Sequence, residues 1–286
     1  MGSSWPTSAL TEMAATTGVG LASAGKRLIP SAVRRRRLAI LETRNKLLLG
    51  RSALAMRRFE DAEVSRLSGE MQRLPQARVA TIMPTYCRPD LLRRAVHSAL
   101  AQSVHDHVII VVDDAGGLPA LPSDPRLVAV SLARNTATIG VVRNIGIRLS
   151  RSDFVAFLDD DNEWEPDHLD VALRALEKDP VTQRADLVYT AVRRIFADGS
   201  EMDVLSTPFD RKLLAGTSFV DASSIVIRRF PGLHFSRPYR SRERYPREDW
   251  EIVFRLSRHR RVDHVPVQTV RYLVNPESYW TAWNLR

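Results

Sequence analysis

Cysteine is nearly absent: Cys87 is the only one in 286 residues. One thiol excludes an internal disulfide framework and any zinc cage built from several cysteines of one chain. It suits a reducing, cytoplasmic setting. No apolar run reaches the roughly 18 residues of a membrane-spanning helix. The first 25 residues carry neither the early positive charge nor the apolar block of a secretory signal. Glycine is missing from "IMPTYCRPD" (82–90), where a loop cradling a triphosphate would need it. The glycines of "GVGLASAG" (18–25) have the wrong spacing for a dinucleotide loop and follow no strand.

Charge of one sign is scarce only locally. The chain carries +9 overall, yet residues 1–58 hold eleven Lys/Arg against Glu12 and Glu42 alone. The remainder is therefore neutral. The basicity belongs to an N-terminal arm, which makes nucleic acid an unlikely partner of the body. Residues 1–25 are small and polar and read as disordered. From Pro30 to Pro75 the apolar spacing predicts two basic-to-mixed amphipathic helices, interrupted at Gly50. They would pack on the main domain or a second copy. Alternatively, Arg34–Arg37 and Leu38–Leu41 would meet anionic lipid at the inner membrane face.

The texture changes at Arg78. "VATIM", "HVIIVV", "LVAVS", "DFVAFL" and "ADLVYTAV" are short, nearly continuous apolar runs. Between them, "PDLLRRAVHSALAQS", "IGVVRNIGIRL" and "PDHLDVALRALEK" carry apolar residues at helical spacing. Such alternation predicts an α/β fold with a mainly parallel central sheet and helices on both faces. Ligands of such sheets bind at the carboxyl ends of the strands. Asp113-Asp114 and Asp159-Asp160-Asp161 both fall there.

Three adjacent aspartates abutting a buried strand repel one another and are costly to desolvate. In an extended segment Asp159 and Asp161 share a side, an arrangement of hard oxygens suited to Mg²⁺ or Mn²⁺. A bound cation would relieve the repulsion. Helix capping is the plainer reading of acidic residues before a helix, and it suits Asn162 through Asp167. An EF-hand is excluded because Trp164 stands at its required glycine.

Five blocks, in order, resemble the family 2 glycosyltransferases of GT-A fold: "VATIMPTYCRPDLLRRAVHSALAQ", "VIIVVDDAG", "NTATIGVVRNIGIRLSRSDFVAFLDDDNEWEPDHL", "SSIVIRR" and "REDWEIVFRL". The resemblance implies a basic N-terminal extension over 1–77 and a GT-A domain over 78–286. It implies an inverting transfer of sugar from a nucleoside-diphosphate sugar, a UDP-sugar first, to an acceptor hydroxyl, with Mn²⁺ or Mg²⁺. Asp114 would accept from the base, with Pro84, Thr85 and Tyr86 lining its pocket. Asn135, Arg143 and Asn144 match donor-binding positions, and Asp160 would face the ribose. Asp161 would hold the metal with Asp159 in support. Asp249 would be the general base and Glu248 would position the acceptor. The Arg-Asn-Gly of the family is Arg143-Asn144-Ile145 here, with glycine one place later. Asn275 stands near an expected histidine, which leaves a third protein ligand in doubt. The acceptor and donor sugar are not implied.

Two other functions fit parts of the pattern. A sugar-nucleotide nucleotidyltransferase shares such a sheet but normally has the glycine-rich loop missing here. A non-catalytic adaptor could use the basic arm on membrane or nucleic acid. Asp114, Asp161 and Asp249 together argue against it.

Overall fold

The computed structural model describes residues 31–71, 75–178, 184–237 and 248–274, and for residues 31–49 the helical backbone alone. The expected disordered start, Asn275 and the side chains of Arg34–Arg37 lie outside the described residues. Contacts divide the chain into units of residues 1–46 and 47–286, and the sheet lies in the second.

Helix α1 (Ser31–Glu70) runs unbroken through Gly50, where the sequence predicts an interruption. A glycine inside a helix costs about 1 kcal/mol relative to alanine. That is too little to end a helix whose later turns pack Phe59, Val64 and Leu67 into the core. Leu47–Glu70 belongs to the unit that holds the sheet.

The sheet has nine strands. β1 (Val79–Thr85) and β2 (His107–Asp113) are buried at every position, as their apolar runs require. β3 (Leu127–Ser131) flanks β2, and β4 (Phe154–Phe157) flanks β1; all three pairings are parallel. Beyond β4, β8 (Ile225–Arg228) pairs antiparallel and leads to β6 (Leu187–Ile195). β6 carries β7 (Glu201–Leu205) antiparallel and β9 (Val262–Leu273) parallel, and β5 (Asn162–Trp164) closes the path on β9. The half of the sheet holding β1–β4 is all parallel.

Period-two alternation sorts the strands into two cores. Ala80, Ile82, Ile110 and Val112 face one side, with Val141, Val142 and Ile145 of α3 (Ile139–Arg148), Leu214 of α5 (Arg211–Leu214) and Ile252 and Val253 of α6 (Glu248–Leu256). Val79, Met83, Ile109 and Val111 face the other. There they meet Leu92, Ala95, Val96 and Ala99 of α2 (Pro89–Leu100), and Leu169, Leu173 and Leu176 of α4 (His168–Glu177). Gly146 lets α3 approach the sheet closely: a Cβ there would lie 2.5 Å from Ile82 Cγ2.

A second expectation changes. Asn162–Trp164 does not begin a helix; it is β5, alternating buried, half-buried, buried, and α4 begins at His168. Residues of alternating burial with an aromatic suit a strand once a partner edge is present, and β9 provides it.

Candidate active site

β1, β2 and β4 end at the same edge. Their register sets Thr85 opposite Asp113 and brings Thr85 beside the turn after β4. Thr85 Oγ1 donates to Asp160 Oδ2 at 2.8 Å. Asp113 shapes the next turn, accepting from the backbone N–H groups of Gly116 (2.8 Å) and Gly117 (3.0 Å). Asp114 Oδ1 accepts from Thr136 N at 2.8 Å, and its Oδ2 from Thr136 Oγ1 and Ala137 N at 3.2 Å each. Burial holds the Asp114 carboxyl above its ordinary range, although those three donors oppose the shift. Cys87, Ala115 and Ala137 all have positive φ, 53°, 62° and 49°. Among the described residues they are the non-glycine residues in that region, and all three sit in these loops. Strain of this kind collects at functional sites.

Asp159, Asp160 and Asp161 lie in the turn between β4 and β5, not within a strand. Arg88, just before α2, donates from Nη1 to Asp160 Oδ1 (3.1 Å) and Asp161 Oδ2 (2.8 Å). Arg143, 1% exposed on α3, donates from Nη2 to Asp159 Oδ1 at 2.5 Å and from Nη1 to Glu248 Oε1 at 2.7 Å. Thus one buried guanidinium ties the aspartate turn to the first residue of α6. Asp249 follows in the same helical turn, 9% exposed, its Oδ1 accepting from Trp250 N at 2.6 Å. Trp250 stacks on Phe254 and donates to Leu214 O, which fixes the helix start.

The cluster is over-supplied with negative charge. Burial first, then the charges of Asp159 and Asp160, push the Asp161 carboxyl up to about 7. Burial also raises Asp160 against the pull of Thr85 and Arg88. Asp221, which caps the 3-10 turn Ala222–Ser224, is pushed up to about 6 by burial and then by Asp159. Burial would lower Arg143, but the Asp159 and Glu248 carboxylates outweigh it and hold the guanidinium above its ordinary value. Among the described residues no three His, Cys, Asp or Glu are grouped as a ready cation cage. The fit to a divalent ion rests on the donor chemistry: hard carboxylate oxygens whose mutual repulsion two arginines leave partly unrelieved.

The structure thus brings together Thr85, Asp159, Asp160, Asp161, Arg143, Glu248 and, through its neighbour, Asp249. Pro84 is the penultimate residue of β1, next to Thr85, and Tyr86 is 48% exposed in the loop that follows. Asn135 is exposed, with its Oδ1 accepting from Ala137 N at 2.6 Å. Asn144 is not drawn into the cluster. Its Nδ2 donates to Glu60 Oε1 (2.8 Å) and Phe235 O (3.1 Å), and its Oδ1 accepts from Phe235 N (2.7 Å). One helical step separates it from Arg143, so it faces α1 instead. Three participants escaped the sequence reading: Arg88, Asp221 and Ser223. Ser223 Oγ accepts from Asp159 N (3.1 Å) and Asn162 Nδ2 (2.8 Å), and its carbonyl from Trp164 Nε1 (2.7 Å). Only the position of Arg88, inside the first strand–helix loop, offered a signal.

Residues 80–230 match the model of Glycosyl transferase family 2. The chain is 36% identical over 102 residues to the succinoglycan biosynthesis protein ExoW of Rhizobium meliloti, a match covering 32% of each. It is 26% identical over 212 residues to the uncharacterized glycosyltransferase YwdF of Bacillus subtilis, covering 68% of this chain and 74% of that protein. Among solved structures it resembles S. aureus TarS 1–349 in complex with UDP-GlcNAc. The TM-score is 0.52 at 14% identity, over 72% of this chain and 61% of that one.

Proposed function

The chain belongs to glycosyl transferase family 2, and from that premise we propose that it moves a sugar from a UDP-sugar to an acceptor hydroxyl with inversion at the anomeric carbon. Its fold is of the GT-A type. The observation that carries the reading is the Arg143 bridge, which sets the aspartate turn and the start of α6 on one site.

In this reading the base and ribose sit among Pro84, Thr85, Tyr86, Asp114, Asn135 and Asp160. Asp161, with Asp159 in support, would hold Mn²⁺ or Mg²⁺, which as a Lewis acid would neutralise charge on the diphosphate. Asp249 takes the proton of the attacking hydroxyl, and Glu248, steadied by Arg143, positions the acceptor. Arg88 is held by the same carboxylates, so donor binding requires its side chain to yield or to turn to the phosphates. The succinoglycan assignment of ExoW makes a saccharide hydroxyl the first acceptor to try. No helix among the described residues is long and apolar enough to cross a membrane. Peripheral membrane contact, or pairing of two copies, through residues 30–75 in a cytoplasmic setting belongs to the same proposal.

The test is a panel of nucleotide sugars with Mn²⁺ or Mg²⁺ and an EDTA control, reading thermal shift, donor hydrolysis and transfer to saccharides. A bound ligand raises apparent stability. The expected result is a metal-dependent shift and turnover with a UDP-sugar, giving the inverted anomer. Neither shift nor turnover with any donor would overturn it.

A further inference from the structure

A cleft of about 1190 Å³ opens at the edge of the sheet opposite the aspartate turn. Arg78 and Asp153, which immediately precede β1 and β4, line it, as does Arg228 at the end of the antiparallel β8. Six arginines meet three carboxylates there, Asp106, Asp153 and Glu177. Arg78 is paired with Glu177 at 2.5 Å, and Arg148 with Asp61 at 2.7 Å. The other four arginines have no ion pair among the described residues.

Two of those four are fixed by neutral oxygens. Arg229 donates to Ser152 O (2.5 Å), Ile147 O (2.9 Å) and Ser150 Oγ (2.6 Å). Arg228 Nη2 donates to Leu176 O (3.0 Å). Ile147 and Leu176 lie in the last turns of α3 and α4. The guanidinium groups therefore offset the negative ends of two helix dipoles, which would otherwise repel an anion. Neither forms a close ion pair among the described residues, although Asp153 acts on both at longer range and Glu177 and Asp186 act on Arg228. Burial holds both below the ordinary arginine range, and the charge of Arg184 pushes Arg228 the same way. Two buried donors in the lining have no partner: Arg228 Nε and the Oγ of Ser152, a residue only 1% exposed. Arg151 and Arg184 stand exposed at the same cleft. Ile147, Phe230 and Leu233 supply apolar surface between them.

We propose that this cleft is a second binding site, for a phosphate-bearing anion, separate from the sugar-transfer site. Several cations and unpartnered donors converging from different elements suit a phosphate, whose oxygens accept in several directions and match the guanidinium fork. A single carboxylate would leave most of them unmet. The shared chemistry admits two sources, a free diphosphate or the headgroup of an anionic lipid, whose acyl end would lie along the apolar residues.

The full chain would be titrated with inorganic pyrophosphate by calorimetry, and sedimented with phosphatidylglycerol/phosphatidylcholine vesicles. Binding of pyrophosphate identifies a free phosphate ligand; binding of vesicles alone identifies the headgroup. Either supports the site if Arg151→Ala/Arg184→Ala weakens it by about tenfold or more while a variant with Arg34–Arg37 changed to Ala retains it. Uridine nucleotide should not compete, and its own binding should be unchanged in the double variant. Arg151 and Arg184 are exposed, so the double variant should fold, as its unfolding midpoint will confirm. Absence of binding to both probes, binding unchanged in the double variant, or binding lost only with Arg34–Arg37 would overturn the proposal. A wild type that binds pyrophosphate at the cleft but transfers no sugar would count against the proposed reaction and not against this site.

Discussion

Replacing Arg143 by methionine removes the fork and keeps most of its volume. Two charge-assisted hydrogen bonds disappear, to Asp159 at 2.5 Å and Glu248 at 2.7 Å, each worth about 1.5–3 kcal/mol. They do not add in full. The carboxylates left behind are 24% and 27% exposed, so water can take over part of their solvation. The contact of Arg143 with the Phe235 ring, 5.1 Å to the centroid, is partly replaced by a sulfur–aromatic contact. Breaking a buried pair costs about 3–5 kcal/mol, and these offsets place Arg143→Met at the lower end, about 3 kcal/mol. Urea unfolding measures it. Activity should fall further than stability explains: if Arg143 aligns α6 with the aspartate turn, a shift of about 1 Å costs about 10²-fold in rate even in folded protein. Turnover is therefore measured well below the unfolding transition, for Arg143→Met and Arg143→Lys. Lysine keeps the charge but cannot fork to two carboxylates, so it should rescue stability more than rate. Adding Glu248→Gln to Arg143→Met should destabilise less than the single changes together, because the partner is no longer an unpaired charge. A methionine variant within about 0.5 kcal/mol of wild type and of normal turnover would refute the bridge as the organiser of the site.

Asp249→Asn should spare donor affinity and lower turnover by about 10²–10⁴-fold; an unchanged rate removes it as the base. Asp161→Ala should abolish the metal-dependent part of donor binding in a titration with and without EDTA, and near-normal turnover would sink the assignment. Glu163→Gln should cost under about 1 kcal/mol and little activity, because its pair with Arg271 at 3.1 Å is partly exposed; a large loss would mean the site is misplaced. Glu60, fully buried on α1, has its carboxyl raised by burial despite Asn144 and Arg237. A raised folded pKa means the native state binds more protons, so the Glu60 contribution is full in acid and fades as pH rises through the folded value. Glu60→Gln should flatten that dependence at small cost, whereas Glu60→Ala should cost about 3 kcal/mol, read by urea midpoints from pH 4.5 to 8.

The parallel half of the sheet was legible because its strands are buried on both faces and read as unbroken apolar runs between helical stripes. The edge carrying the carboxylates was legible for the same reason: a run such as "VAFL" ends where water or ligand begins. Tertiary partners were not. Asn162–Trp164 has the composition of a helix start, and only the β9 edge makes it a strand. Arg88 and Ser223 act through contacts 61 to 73 residues away in the chain and Asp221 through burial; apart from the loop position of Arg88, nothing local marks them. Asn144 shows a contact that a family position does not announce. The family position implied the donor, while its side chain, one helical step round α3 from Arg143, bonds Glu60 of α1 and the Phe235 backbone.

The hold of α1 on Asn144 bears on what the catalytic domain includes. The family model begins at residue 80, yet two carboxylates one helical turn apart on α1 reach into the segments that build the site. Glu63 Oε2 accepts from the Ala133 N–H at 2.9 Å, in the loop whose Thr136 and Ala137 hold Asp114. Glu60 accepts from Asn144 and, at 2.9 and 3.0 Å, from Arg237 Nε. An N–H or guanidinium buried without an acceptor costs about 1–3 kcal/mol or more, so these loops are shaped to meet α1 and not merely covered by it. Glu60 and Glu63 of α1 therefore brace the segments that build the site. A protein lacking residues 1–74 but keeping 75–286 should lose the order of the 131–137 loop before it loses the sheet, seen as faster amide exchange at Ala133–Ala137 with β1 and β2 still protected. Exchange there as slow as in the full chain would show that the loop holds its shape unaided and that α1 is only a neighbour.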